Sequence, residues 1–223
     1  MGWQRHTACF WVICAILMCA VLSAVWPELE SRSELTTANS RKQETSLGDL
    51  VADAIKQAAG VPVAIFPAGS FRDEATAIPA GRITAQEVLK CLQYPQDKIA
   101  TIEITGAQVI KALERSVSIY PQENRDFLQV SGIRVQFNPD APKGARIVRV
   151  TIDGKQIQPE QKYCVAMPKP LADGGQGYFT VWGKDVKPVV TNKTVSSAVE
   201  DFLASKTSID YRKLDRIEIR KEN

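Results

Sequence analysis

The sequence predicts a single α+β domain with a mixed β-sheet, carried behind an apolar leader. Helix-period patterns with capping signals fill residues 46–118, and strand-like runs with a hairpin signal fill residues 130–182. The length of 223 residues leaves room for one domain plus appendages at roughly 150 residues per domain. Hydrophobic residues at 44% and charged residues at 24% give the ordinary globular balance and exclude collagen-like, disordered and polytopic membrane classes. Lys plus Arg number 28 against 25 for Asp plus Glu, a net +3. These basic residues are scattered, so no nucleic-acid footprint is expected.

Ala8 to Trp26 is an almost unbroken apolar run of 19 residues, preceded by Arg5 and His6 and followed by Glu28, Glu30 and Glu34. It reads as an export signal. It is longer than the roughly 7 to 15 residues of a signal-peptide core and reaches the lower bound for a spanning helix, so a cleaved peptide and a retained N-terminal membrane anchor both stay open. The charge asymmetry places the body outside the membrane: periplasmic or secreted, or anchored with the domain outside. Residues 1–26 are therefore assigned to signal peptide or anchor. Residues 27–45, mostly Ser, Thr, Asn and charge, are assigned to a flexible tether, and residues 46–223 to the domain.

Leu47, Leu50, Val51, Ala54, Ile55 and Ala58 recur at helical spacing, with Ser46 as the expected N-cap, Asp49 in the first turn and Gly60 at the end. Leu50, Val51 and Ile55 should be buried, while Asp49 and Asp53 should be exposed or capping. Val61 to Phe66 is a short apolar strand that ends in a Pro67-Ala-Gly69-Ser-Phe-Arg72 loop. Thr84 with Glu87 and Thr105 with Gln108 are capping boxes that open a second and a third helix, the latter running to about Ser118. Lys98 to Ile104 is the strand between them. Val130 to Phe137, Ile147 to Ile152, Tyr163 to Met167 and Tyr178 to Trp182 read as strands, with Asp153-Gly154 as a hairpin signal. A helix over Val195 to Lys206 and a strand over Ile217 to Arg220 complete the chain.

Three of the five cysteines lie in the leader. Cys91 and Cys164 remain; they are read as separate buried thiols, with one disulfide as the alternative. The sole histidine, His6, precedes the apolar run, so the body works without imidazole. Ser70, Ser131 and Ser197 then lack a histidine base, and no Ser-x-x-Lys is present. Arg72 stands behind small residues at a strand end, where a guanidinium forks onto a carboxylate or phosphate; a structural salt bridge is the plainer reading. Ala172-Asp-Gly-Gly175-Gln-Gly-Tyr178 places three glycines in four positions, which suits either a close backbone approach to a ligand or a tight turn. It is neither a P-loop nor a dinucleotide fingerprint.

Taken in order, Leu47-Gly-Asp-Leu50-Val-Ala-Asp53-Ala-Ile55, Ala68-Gly-Ser-Phe-Arg72, Gly81-Arg-Ile-Thr84, Thr105-Gly-Ala-Gln108, Phe127-Leu-Gln-Val-Ser-Gly-Ile-Arg-Val135 and Leu171-Ala-Asp-Gly-Gly-Gln-Gly-Tyr178 resemble the C-terminal, substrate-binding domain of the 5'-nucleotidase, UDP-sugar hydrolase and cyclic-nucleotide phosphodiesterase family. The resemblance covers roughly residues 41–182. It implies a domain that holds a nucleoside while a separate N-terminal metallophosphatase domain, carrying two divalent metals, cleaves the phosphate. It also implies that Arg41 and Arg72 contact substrate, that Gly69 and Gly175 lie in the binding loops, and that Tyr94 and Tyr178 sandwich the base, tyrosine keeping the π face. The chain departs from the family pattern at Pro67 and Lys169, each in place of an asparagine, and at Gln176, in place of an aspartate.

No cofactor and no catalytic residue is expected in this chain, since a two-metal site needs several His and Asp ligands. The leading expectation is an exported nucleoside- or nucleotide-binding module working beside a separate metallophosphatase chain. A non-binding structural or interaction descendant is the alternative. An enzyme of different, metal-poor chemistry is a third reading, for which the sequence offers no nucleophile and base.

Overall fold

The computed structural model describes residues 29–183 and 185–220; the leader expectation falls outside them. The elements in chain order are β1 (Leu29–Ser31), β2 (Leu35–Thr36), α1 (Ser46–Ala59), β3 (Val63–Pro67), β4 (Ala77–Ile78), β5 (Gly81–Ile83), α2 (Ala85–Lys90), β6 (Lys98–Thr105), α3 (Gly106–Ser116), β7 (Leu128–Ser131), β8 (Ile133–Phe137), β9 (Ile147–Ile152), β10 (Lys155–Gln156), β11 (Lys162–Pro168), α4 (Lys169–Ala172), α5 (Phe179–Trp182), β12 (Val189–Thr194), α6 (Val195–Ala204), β13 (Ser208–Ile209) and β14 (Ile217–Ile219).

A five-stranded mixed sheet, ordered β12-β6-β11-β3-β7, forms the middle layer. Successive side chains of a strand point to opposite faces, and β3 shows the consequence. Ala64 and Phe66 pack with Leu50, Val51 and Ile55 of α1 and with Val199 of α6, whereas Val63 and Ile65 pack with Val109 and Leu113 of α3 and with Val135 and Val150 of a second sheet. That second sheet is ordered β10-β9-β8-β14. Burial on both faces explains why β3 reads as continuous apolar sequence rather than alternating.

The helix starts follow their caps. Thr84 with Glu87 and Thr105 with Gln108 form complete capping boxes. In α1 the N-cap is Thr45, whose side chain accepts from the Gly48 N–H, and Ser46 is the first helical residue. Gly60 closes the helix at φ 65°. The α3 helix ends at Ser116, two residues short of the expected end.

Three expectations are corrected. Residues 29–45 belong to the fold instead of forming a tether. β1 pairs with β13 and β5, β2 pairs with β4, and Leu29 and Leu35 are buried. The polar character of this segment is matched by distant partners: the Thr36 N–H donates to Ser46 Oγ, and Gln129 Nε2 donates to the carbonyls of Ser40 and Gln43. Second, Val130 to Phe137 is two strands in two sheets. Gly132 sits at φ 77°, and a Cβ there would run into the Pro62 carbonyl oxygen; only glycine makes this bend. Third, Tyr178 to Trp182 is a helical turn, α5, not a strand. The Trp182 N–H donates to the Tyr178 carbonyl at 2.9 Å, and i,i+4 spacing stacks the two rings at 5.2 Å in the core.

Cys91 and Cys164 are free thiols, Cys91 buried at the C-terminal end of α2 and Cys164 half-buried.

Candidate functional site

β3 and β11 run parallel, Val63 against Val165 and Ala64 against Ala166, so their carboxyl ends, Pro67 and Pro168, reach the same edge of the sheet. Loops leaving there face each other across a crevice, the usual ligand position in open sheets with parallel strands. β6 is antiparallel to β11, with Ile99 opposite Pro168. The segment before β6, carrying Tyr94 and Asp97, therefore arrives at the same edge. Together they enclose a cavity of about 400 Å³ lined by Pro67, Ser70, Tyr94, Asp97, Pro168, Pro170, Leu171, Gly175 and Gln176.

The walls are mainly apolar. The Tyr94 ring stands 53% exposed, and three prolines and Leu171 supply flat hydrocarbon surface. Ser70, Asp97 and Gln176 are the polar groups. Partial burial raises the Asp97 carboxyl above its ordinary pKa. Gly175 closes the loop against α4: a Cβ would lie 2.6 Å from the Pro170 carbonyl oxygen. A Cβ on Gly69 would lie 3.0 Å from both the Arg125 carbonyl oxygen and Gln176 Nε2, so the two expected binding loops touch through Gly69 and Gln176.

Tyr178 lies elsewhere. It is fully buried, its hydroxyl donates to the Asp126 carbonyl at 2.8 Å, and the Arg115 guanidinium sits 5.4 Å from its ring centroid. The expected sandwich of Tyr94 and Tyr178 is therefore corrected: of the two rings only Tyr94 lines the cavity, together with three prolines. Arg115 also donates through Nε to the Gln176 carbonyl at 3.0 Å and through Nη2 to Asp126 at 2.7 Å, bracing the loop. Sequence reasoning missed Arg115, Asp97 and the Pro168/Pro170 pair; the Pro-x-Pro at the end of an apolar run was the readable signal.

The arginines divide. Arg72 turns to the end of α2, its Nε donating to the Lys90 carbonyl at 2.9 Å, and it does not line the cavity. Arg41 pairs with Asp73 and lies 3.8 Å from Glu123. Arg125 pairs with the same Asp73 at 2.9 Å and donates to the Gly69 carbonyl at 3.3 Å.

A larger polar cavity of about 680 Å³ opens at the other end of β3, where Ser131 pairs with Ala64. At its floor Asp53 accepts from Ser131, from the Tyr211 hydroxyl at 3.0 Å and from both Nη atoms of Arg216 at 2.8 and 2.9 Å. Glu44 Oε2 accepts the backbone N–H groups of Arg216 and Ile217, each at 2.8 Å. Asp49, expected to be exposed or capping, is fully buried with its carboxyl 3.3 Å from Arg216 Nε. Desolvation pushes it up to about 9, with Arg216 opposing and Glu44 adding to the rise, so Asp49 is protonated at neutral pH. Arg216 donates through both Nη atoms to Asp53 and through Nη1 also to the Val130 carbonyl, which makes this floor a clamp tying α1 and β7 to the residue just ahead of β14. Among the described residues, no three His, Cys, Asp or Glu side chains converge to hold a metal.

A sequence profile of the 5'-nucleotidase C-terminal domain matches residues 23–184. The chain belongs to that family. The apyrase of Aedes albopictus is 27% identical over 201 residues, which cover 84% of this chain and 35% of that protein. A 5'-nucleotidase of Vibrio parahaemolyticus is 29% identical over 76% of this chain and 28% of its own length. The crystal structure of a 5'-nucleotidase precursor from Thermus thermophilus superposes with a TM-score of 0.78 at 26% identity, covering 90% of this chain and 40% of that one. The Haemophilus influenzae NAD nucleotidase shares the fold, with a TM-score of 0.74 at 19% identity. This 5'-nucleotidase C-terminal domain thus spans between 28% and 40% of these relatives.

Proposed function

We propose that the chain is an exported nucleoside- or nucleotide-binding module of nucleotide catabolism that holds its ligand in the cavity at the carboxyl ends of β3 and β11. The observation that carries this reading is the Tyr94 ring, 53% exposed, at the mouth of an apolar crevice of about 400 Å³. An exposed tyrosine in a cavity also lined by prolines and a leucine suits a planar heteroaromatic base, and the few polar groups, Ser70, Asp97 and Gln176, suit its edges.

The module does not hydrolyse phosphoesters by itself: its only histidine is His6, ahead of the apolar run, and catalysis is supplied by a separate metallophosphatase chain bearing two divalent metals. The leader delivers the domain to the outer side of the membrane and anchors it there if it is retained.

A second reading, a non-binding interaction domain, is favoured by the engagement of Arg41 with Asp73 and of Arg72 with the Lys90 carbonyl. Calorimetric titration of the full chain with adenosine, AMP and uridine separates the two. Saturable heat with at least one of them is expected from the binding module; no heat from any of the three leaves the interaction domain.

A further inference from the structure

The larger cavity, of about 680 Å³, carries charge that the clamp at its floor does not use. Arg134 and Lys213 pair with Asp215 at 2.8 and 2.6 Å, and Arg212 pairs with Asp210. Arg216 is occupied by Asp53 and the Val130 carbonyl. Lys56 and Lys206 line the same cavity, and among the described residues neither ammonium has an ion-pair partner. Asp153, in the turn between β9 and β10, is the remaining acid of the described lining.

The two lysines share one place. A second cavity, of about 480 Å³, adjoins the first: Asp53, Lys56, Phe202 and Lys206 line both. The Lys56 stem runs along Gly132, where a Cβ would come within 3.3 Å of its Cδ. The Lys206 ammonium sits 5.0 Å from the centre of the Phe202 ring. Both side chains are thereby held at the waist where the cavities meet, and Lys56 is half-buried there. A cation taken partly out of water is unfavourable until a counter-charge meets it. An oxyanion at the waist supplies that charge, and Thr151 and Ser208 add hydroxyls to the lining. Lys56 lies in the last turn of α1 and Lys206 just beyond α6, so each also faces the negative end of a helix. The cavities leave room for more than one carboxylate or phosphate group.

We propose that Lys56 and Lys206 form a binding site for a small multivalent oxyanion, a phosphate or polycarboxylate compound, at the end of β3 away from Tyr94. Such a ligand ties the end of α1 to the end of α6. The site stands on its own cavity and does not depend on the nucleoside reading.

The test is calorimetric titration of the full chain with inorganic pyrophosphate and with citrate, at one ionic strength set by potassium chloride. Saturable heat is expected from at least one of them, about tenfold weaker in Lys56→Gln and in Lys206→Gln, while adenosine titrations stay as in wild type. Saturation by pyrophosphate alone assigns the site to phosphates, and by citrate alone to carboxylates. No saturable heat from either anion, or equal affinity in wild type and the double variant, overturns the proposal. A double variant whose melting temperature falls by the same amount with and without anion also overturns it, leaving the lysines only the helix ends to serve. If the double variant does not fold, Lys206→Gln, at an exposed position, is held to the same criteria.

Discussion

Replacing Asp49 by asparagine tests the buried clamp, and the structure fixes the sign of the effect. Both Asp49 carboxyl oxygens and Glu44 Oε1 are buried without a hydrogen-bond partner, Arg216 Nε standing 3.3 Å from Asp49 Oδ2 as an ion pair. A proton on Asp49 supplies a donor toward Glu44, in keeping with a pKa raised from 3.8 to about 9. A group raised in the folded state stabilises fully below its unfolded value of 3.8, and that contribution is lost as pH rises toward about 9. Each unit is worth about 1.4 kcal/mol, so the wild type should lose about 4 kcal/mol of stability between pH 5 and pH 8. The lowered carboxylates Asp73, Asp210 and Asp215 act in the opposite sense, but below about pH 4. Asparagine keeps the shape and offers an amide donor to Glu44 without a titrating proton. Urea midpoints at pH 5, 6.5 and 8 are the assay. Asp49→Asn should flatten the decline to less than about 1 kcal/mol. A wild type equally stable at pH 5 and 8, or a variant that declines as steeply as wild type, would refute the protonated clamp.

Leu50, fully buried between the central sheet and α6, should lose about 2 to 5 kcal/mol on substitution by alanine, read from denaturant midpoints; a loss under about 1 kcal/mol would mean that the site collapses around the cavity. Tyr178→Phe removes the hydroxyl that donates to the Asp126 carbonyl and should lower stability by about 0.5 to 1.5 kcal/mol while leaving nucleoside affinity unchanged. A fall in affinity without a fall in stability would return Tyr178 to the binding site.

Much of the fold was legible because local rules and tertiary packing agree. Thr84 and Thr105 mark helix starts with partners only three residues on, Gly60 marks a helix end by its own backbone, and β3, β6, β9 and β11 are strands where apolar runs predict them. Legibility failed where a residue's partner lies far away in sequence. Residues 29–45 look like a tether because Ser31, Ser33, Thr37 and Ser40 are polar, yet these residues are buried, and Ser33, Thr37 and Ser40 accept from the Tyr211 N–H, the Thr76 N–H and Gln129 Nε2. Asp49 reads as a first-turn cap until Arg216, from the end of the chain, arrives beside it.

The site divides in the same way. Gly175 and Tyr94 line one cavity and Gly69 stands beside Gln176, because the segments that carry them meet at one edge of the sheet. Tyr178 does not: its spacing from Trp182 draws its ring into the core, where two aromatic surfaces bury each other. The Asp73 bridge between Arg41 and Arg125 joins three segments and has no linear signature.

The central claim, that the cavity at the carboxyl ends of β3 and β11 holds a nucleoside through Tyr94, is tested most directly by titrating adenosine into wild type and Tyr94→Ala. Loss of one stacking face is worth about 1 to 3 kcal/mol. The account predicts saturable binding that weakens by about 5- to 150-fold in Tyr94→Ala with unchanged melting temperature. Adenosine binding of equal strength in both proteins would contradict it.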